Sequence, residues 1–133
     1  MKRYLFISFL SVFTLIACKH ETFTDRCERE AREYTTKQCP LILQEGLTMD
    51  SMTFRKAENK FIYYYTLSGK LDNPGYVQNN ATNIRKQLLD ALTNSVEMKR
   101  YKDENMAFEY IYMSQSEKKG ILDFTFTKEE YRQ

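Results

Sequence analysis

The sequence is poor in the residue types on which many enzymes and metal sites depend. Its 133 residues include one histidine, His20, and only four glycines, at positions 46, 69, 75 and 120. A Ser-His-Asp or Cys-His arrangement needs an imidazole held by the fold, and an ordinary zinc site needs histidine or several cysteines at fixed spacing. The glycines form no phosphate-binding loop. We therefore expect no metal, no cofactor, and no chemistry of these classes.

A pair of carboxylates is what remains for catalysis. Glu109 and Asp123 are candidates, because a general acid and a general base can both be carboxyl groups. However, a chain with 18 acidic residues always offers such pairs, and most of them are solvated surface charges. We therefore expect a protein that is not an enzyme.

The chain has a single long apolar run, at residues 5–16, which only Ser8, Ser11 and Thr14 interrupt. A membrane-spanning helix needs about 20 apolar residues, so this run is too short to span. Lys2 and Arg3 precede it, and a basic start followed by a short apolar segment is typical of a signal peptide. We expect residues 1–17 to be that signal.

The run ends in Leu15-Ile16-Ala17-Cys18, which resembles the lipobox of bacterial lipoproteins. The resemblance implies that Cys18 becomes the acylated first residue, carrying fatty acids such as palmitate. Each buried methylene contributes about 0.8 kcal/mol, so several acyl chains would hold the protein at a membrane. Residues 18–23 would then be a tether, and residues 24–133 a single domain.

The residues after Cys18 bear on which membrane holds the anchor. Lys19 stands where the enteric retention signal for the inner membrane would place aspartate, which favours the bacterial outer membrane. Lys19-His20-Glu21 is similar to the charged signals that send lipoproteins of the Bacteroidetes to the cell surface. Whether the domain faces the periplasm or the exterior stays open.

A large excess of charge is absent as well. The formal net charge is +2, and removal of Lys2 and Arg3 with the signal leaves 18 basic and 18 acidic residues. No positive field remains to bind nucleic acid. With 42% hydrophobic and 29% charged residues, the composition is that of a globular domain.

Two cysteines, Cys27 and Cys39, remain in an oxidising compartment, where disulfides form. If a helix ran through both positions, they would lie about 18 Å apart, whereas a disulfide tolerates about 7 Å between Cα atoms. A bridge therefore requires the chain to turn back near Pro40. A disulfide and two free thiols both stay open.

Hydrophobic periodicity and turn residues predict an α+β fold. Helices are expected at residues 24–37 and 80–97, and strands at 47–55, 61–67, 106–113 and 121–127. Asn79 or Asn80 would cap the second helix, and Pro74-Gly75 would form a turn before it. Thr127 and Glu130 have the spacing of a capping box at a last helical turn.

The order α-β-β-α-β-β suggests a four-stranded antiparallel sheet with two helices on one face. Residues 24–68 and 80–127 would each form one helix followed by one hairpin. At the level of architecture this resembles the helix-hairpin repeats of the β-lactamase-inhibitory protein family, a fold of binding proteins. The resemblance rests on no sequence motif.

Strand alternation assigns the two faces of the sheet. The face beneath the helices would carry the apolar series that includes Phe61, Tyr63, Phe108 and Tyr110. Antiparallel sheets often leave the other face in water. The candidate binding residues on that face are Ile62, Tyr64, Thr66, Glu109, Ile111 and Met113.

An open face with tyrosine, isoleucine and methionine is richer in interface residues than solubility requires. The sequence therefore predicts a membrane-anchored module that binds a protein partner, as an accessory subunit, an inhibitor or an immunity factor. The alternative is a surface accessory that binds a glycan with the same face, since Tyr64 could stack on a sugar ring.

Overall fold

A computed structural model describes residues 19–133 and contains four α-helices and five strands in that range. The helices are α1 (Phe23–Gln38), α2 (Pro74–Asn94), α3 (Lys99–Asp103) and α4 (Lys128–Tyr131), and the strands are β1 (Leu41–Gln44), β2 (Leu47–Arg55), β3 (Lys60–Leu67), β4 (Ala107–Ser114) and β5 (Lys119–Phe126). The predicted α+β class is confirmed, and so is the capping box that begins α4. The predicted signal and Cys18 lie outside the described residues.

The sheet has five strands in the order β1-β2-β3-β4-β5. All neighbouring strands are antiparallel except β3 and β4, which run parallel, with Phe61 opposite Phe108. The prediction of four antiparallel strands was therefore wrong in both number and direction. The additional strand, β1, is a four-residue edge strand that pairs with the first residues of β2.

Helix α2 makes the parallel pairing possible. Parallel neighbours need a long crossover connection, usually a helix, because the chain must return to the starting end of the first strand. At 1.5 Å per residue, the 21 residues of α2 span about 31 Å, which covers the return. The unit β3-α2-β4 replaces the predicted repeat of helix and hairpin, so the likeness to the β-lactamase-inhibitory fold does not hold.

The start of α2 differs from the sequence prediction. The helix begins at Pro74, six residues before the predicted start, and Asn73 is its N-cap, with Oδ1 accepting a hydrogen bond of 3.0 Å from the Tyr76 amide. Proline is favoured in the first turn, where its missing N–H costs nothing. Pro74-Gly75 therefore begins a helix and does not form a turn.

Both long helices pack on one face of the sheet, as predicted. Cys27 and Ala31 of α1 and Leu92 of α2 are buried there against Phe61 and Phe108. Helix α1 contacts β2 near one edge, and α2 contacts β5 near the other. No helix within residues 19–133 has the length and hydrophobicity needed to cross a membrane.

Candidate functional site

The face of the sheet opposite the helices is the first candidate surface, and it is called the open face below. Strand register places Tyr64 of β3 directly opposite Ile111 of β4, and Thr66 opposite Met113. The core clusters and the helices all lie on the other side. The register therefore brings the predicted binding residues together on one continuous surface.

Ile62 is the exception among the six. Its exposure is 0%, so it cannot contact a partner directly, and its assignment as a binding residue is corrected. The register surrounds it with Thr53, Glu109 and the same-face neighbours Lys60 and Tyr64. The other five candidates, Tyr64, Thr66, Glu109, Ile111 and Met113, are each half-buried. Ile62 therefore lies on the open-face side of β3, but its neighbours cover it.

A charged cluster forms one end of the open face. Lys60 Nζ lies 2.6 Å from Glu109 Oε2 and 2.7 Å from Glu58 Oε2, and Arg55 Nη1 lies 3.2 Å from Glu58 Oε1. The side chains of Lys60 and Glu109 are only 14% and 13% exposed. Hydrogen bonding to these two glutamates raises the pKa of Lys60, so the ammonium stays charged.

The carboxylate pair lies at this same end. Burial, followed by the charge of Glu109, raises the pKa of Asp123 above its usual value. Glu109, however, is already engaged in an ion pair with Lys60. A carboxylate held in this way contributes structure and charge to the surface.

The other end of the open face is polar and concave. Thr66 donates a hydrogen bond of 2.6 Å to Asp50 Oδ2. A shallow cavity of about 540 Å³ is lined by Thr48, Asp50, Thr66, Ser68, Met113, Ser114, Gln115 and Lys118. Tyr64 and Ile111 thus lie between a charged end and a polar end.

A cleft on the helix side of the sheet is the second candidate surface, and sequence reasoning treated its residues only as core. Tyr63 stacks on Tyr110 with 5.0 Å between ring centroids, and Tyr65 stacks on Tyr112 at the same distance. These four side chains are called the tyrosine ladder below. A cavity of about 410 Å³ opens above Tyr63 and Tyr65.

Cys27 and Cys39 are both free cysteines in the structure. Of the two alternatives that the sequence left open, a disulfide and two free thiols, the structure has the free thiols. Cys27 is fully buried, and desolvation, followed by the charge of Glu30, raises its pKa to about 11. A buried thiol of that kind is unreactive. Among the described residues, no group of three His, Cys, Asp or Glu side chains could hold a metal ion.

Comparisons with known proteins bear on the fold. A family model described as "Domain of unknown function (DUF8479)" matches residues 22–122. No curated protein matches. A crystal structure of an inferred secreted protein from Pseudomonas aeruginosa has the same fold, with a TM-score of 0.70 and 15% identity over 82% of this chain and 92% of that one.

Proposed function

Because this chain belongs to the family described as "Domain of unknown function (DUF8479)", its activity must be argued from its own surfaces. We propose that it is a lipid-anchored module of the bacterial outer membrane that binds a protein partner through the open face. The proposal names no reaction, and the roles it fits are an accessory subunit, an inhibitor or an immunity factor.

The arrangement around Tyr64 carries the proposal. Tyr64 and Ile111 are direct cross-strand neighbours, and Met113 follows two residues along β4. The charged cluster around Lys60 lies at one end of this apolar centre, and the concavity around Asp50 lies at the other. Protein interfaces commonly have such an apolar centre, enriched in tyrosine and methionine, inside a polar rim.

A protein partner fits the open face better than a glycan does. Tyr64 is the one aromatic side chain on the strands of that face within residues 19–133. Ile111 and Met113 beside it are suited to packing against the apolar side chains of a protein partner, and no second aromatic ring is present to stack on a sugar from this face within residues 19–133. The glycan alternative is therefore not favoured for this face.

The start of α1 bears on the anchor. The helix begins at Phe23, and Thr22 is its N-cap, with a complete capping box to Asp25. Cys18 lies five residues before Phe23, and five extended residues span at most about 18 Å. Acylation at Cys18 would consequently hold this domain near the membrane surface, within reach of a membrane-bound partner.

Site-specific photocrosslinking in cells tests the proposal. A photoreactive residue at position 64 or 111 should give one discrete crosslinked protein, and the same residue at position 76 should not, because Tyr76 is exposed on α2 away from the open face. The purified partner should then bind the chain with fixed stoichiometry. Equal crosslinking from all three positions, or none from 64 and 111, would contradict the proposal.

A further inference from the structure

The tyrosine ladder occupies the middle of a cleft between two helices. Helix α1 lies over β2, and α2 lies over β5. The cavity above Tyr63 and Tyr65 opens between α1 and residues 97–101, which include the start of α3. Tyr63 and Tyr110 are almost parallel, with 14° between their rings, and Tyr65 and Tyr112 differ by 16°. Rings that stack in this way cover each other's faces and stand with their hydroxyl ends away from the backbone.

Along β3, the side chains on the helix side change from phenylalanine to tyrosine as their exposure rises. Phe61 of β3 is 1% exposed and Phe108 of β4 is 0% exposed, although Phe61 also lines the cavity. Where the cavity opens, the same face of β3 continues as Tyr63 and Tyr65, and both are partly accessible. Packing alone would be served by phenylalanine throughout, so the added hydroxyls need a separate explanation.

The hydroxyls of the ladder have no partner within the protein. Among residues 19–133, Tyr101 donates to Glu30 and Tyr131 donates to the Met106 carbonyl, but no hydrogen bond reaches Tyr63 or Tyr65. Among the described residues, neither hydroxyl oxygen is fully enclosed by the protein. These two groups are therefore available to a ligand.

The floor of the cleft is uncharged. Desolvation raises the pKa of Tyr63 and Tyr65 far above neutral pH. Each phenol therefore keeps its proton and can both donate and accept a hydrogen bond. Such a floor suits a ligand whose own groups donate and accept hydrogen bonds.

The walls and rim complete a mixed cavity of about 410 Å³, within the range of small-ligand sites. Tyr34 of α1 lines it, together with Met49 and Met52 of β2. Glu97 and Arg100 stand at its rim, and Arg100 is compensated by an ion pair of 2.8 Å with Glu30. Glu97 makes no ion pair among the described residues, so its carboxylate is free to accept hydrogen bonds.

We propose that this cleft is a carbohydrate-binding site, on the opposite side of the sheet from the open face. A sugar unit has hydroxyls that donate and accept hydrogen bonds, and it has apolar C–H patches between them. The phenols of Tyr63 and Tyr65 match the hydroxyls, the methionines match the C–H patches, and the carboxylate of Glu97 can accept from two adjacent hydroxyls. The inference does not depend on the protein partner of the open face.

Direct binding of oligosaccharides tests the inference. The full chain, purified from membranes in mild detergent, is applied to a printed array of neutral and acidic oligosaccharides, and the strongest binder is titrated. The chain has no tryptophan, so its intrinsic fluorescence comes from tyrosine, and a ligand-dependent change that is lost in Tyr63→Phe/Tyr65→Phe reports binding at the cavity. We expect saturable binding that weakens about tenfold in the double variant Tyr63→Phe/Tyr65→Phe, because two hydrogen bonds are lost while both rings remain.

Two further variants make the test specific. Glu97→Gln changes the exposed rim without touching the floor and should also weaken binding. Tyr76→Phe removes the same hydroxyl from an exposed tyrosine of α2 that does not line the cavity of about 410 Å³, and it should bind as the wild type does. A blank array, or unchanged affinity in the double variant, would overturn the inference. Weaker binding in Tyr64→Phe would place the sugar on the open face and overturn it equally.

Discussion

Two adjacent tyrosines of β3 have opposite environments. Tyr63 points to the helix side, where it stacks on Tyr110 at 5.0 Å. Tyr64 points to the open face, opposite Ile111. Because side chains alternate along a strand, a shift of one residue in register would exchange their roles.

Truncation of each tyrosine measures this difference. Tyr63→Ala should reduce the free energy of unfolding by about 3 kcal/mol, because it removes a stacked ring from the helix-side packing. Tyr64→Ala should cost about 1 kcal/mol or less, since its side chain is away from the core. Urea unfolding of both variants measures these losses. A larger loss of unfolding free energy for Tyr64→Ala would show that the assignment of faces is inverted.

Lys60 and Lys119 form ion pairs of the same length with different burial. Lys60 Nζ lies 2.6 Å from Glu109 and is 14% exposed at the side chain, whereas Lys119 Nζ lies 2.6 Å from Glu117 and is 64% exposed. Removing one partner of a buried pair leaves an uncompensated charge, whereas exposed pairs contribute little. Burial should therefore decide the stabilising effect of each pair.

We expect Lys60→Met to lower the free energy of unfolding by about 3 kcal/mol and Lys119→Met by about 0.5 kcal/mol or less. The pKa of Lys60 is raised in the folded chain, so its stabilising effect should be complete below the unfolded value of 10.5 and be lost as the pH rises from there through the raised folded value. Denaturant unfolding at pH 7 and pH 11 measures both effects. Equal losses for the two variants at pH 7 would refute the burial argument.

At the scale of the elements, Thr35 fixes α1 to the sheet. Its hydroxyl donates to the Met52 carbonyl at 2.8 Å and accepts from the Met52 amide at 2.8 Å. Strand β1 pairs only with residues 47–49 of β2, so the edge of β2 at Met52 has no strand partner there. One threonine on α1 thus replaces the missing strand at this position.

Thr35→Val keeps the shape of the side chain and removes its hydroxyl. It should lower the free energy of unfolding by about 2 kcal/mol, because two backbone groups of Met52 lose their partner. Thr35→Ser keeps the hydroxyl and should cost less than about 1 kcal/mol. Thr36→Val is the control, since the exposed Thr36 hydroxyl bonds only within its own helix. Thermal or urea unfolding should show this ranking, and equal stability of the two valine variants would contradict it.

The elements with strong periodicity could be predicted from the sequence. The bounds of β2 match the prediction, α1 extends one residue beyond it at each end, and β3 starts one residue earlier. Their apolar spacing follows their burial, as at Cys27 and Ala31. The local pattern was sufficient to predict an element wherever one of its faces is buried and the other is exposed to solvent.

The missing strand and the parallel pairing could not be predicted from local pattern. Strand β1 has four residues, and Ile42 and Leu43 are 75% and 50% exposed, so no alternation marks it. The direction of β4 depends on where α2 returns the chain, which no local segment encodes. The start of α2 was missed because Pro74-Gly75 suits both a turn and a first helical turn.

For the molecule as a whole, the anchor is the first testable feature. Cys18→Ala should abolish acylation and leave the precursor with its signal, because the proposed anchor places the fatty acids on this cysteine. Mass spectrometry of the protein from membranes shows whether the chain is acylated and whether the signal is still attached. An acylated Cys18→Ala protein, or wild-type protein cleaved at another bond, would contradict the assignment.

The candidate site could be predicted in part. Alternation assigned Tyr64 and Ile111 to one face, and the register places them side by side. The burial of Ile62 could not be predicted, because it depends on long neighbouring side chains such as Lys60 that reach across the strands. The cleft above Tyr63 was also missed, because a gap between two helices leaves no signal in either strand.

The dissociation constant of the crosslinked protein partner tests the central claim most directly. Tyr64→Ala should weaken binding at least tenfold while the domain stays folded, because residues at the centre of an interface dominate its affinity. Tyr76→Ala removes an equally large side chain, 58% exposed, from α2 and should bind as the wild type does. Equal affinity of Tyr64→Ala and wild type, or a loss in Tyr76→Ala instead, would contradict binding through the open face.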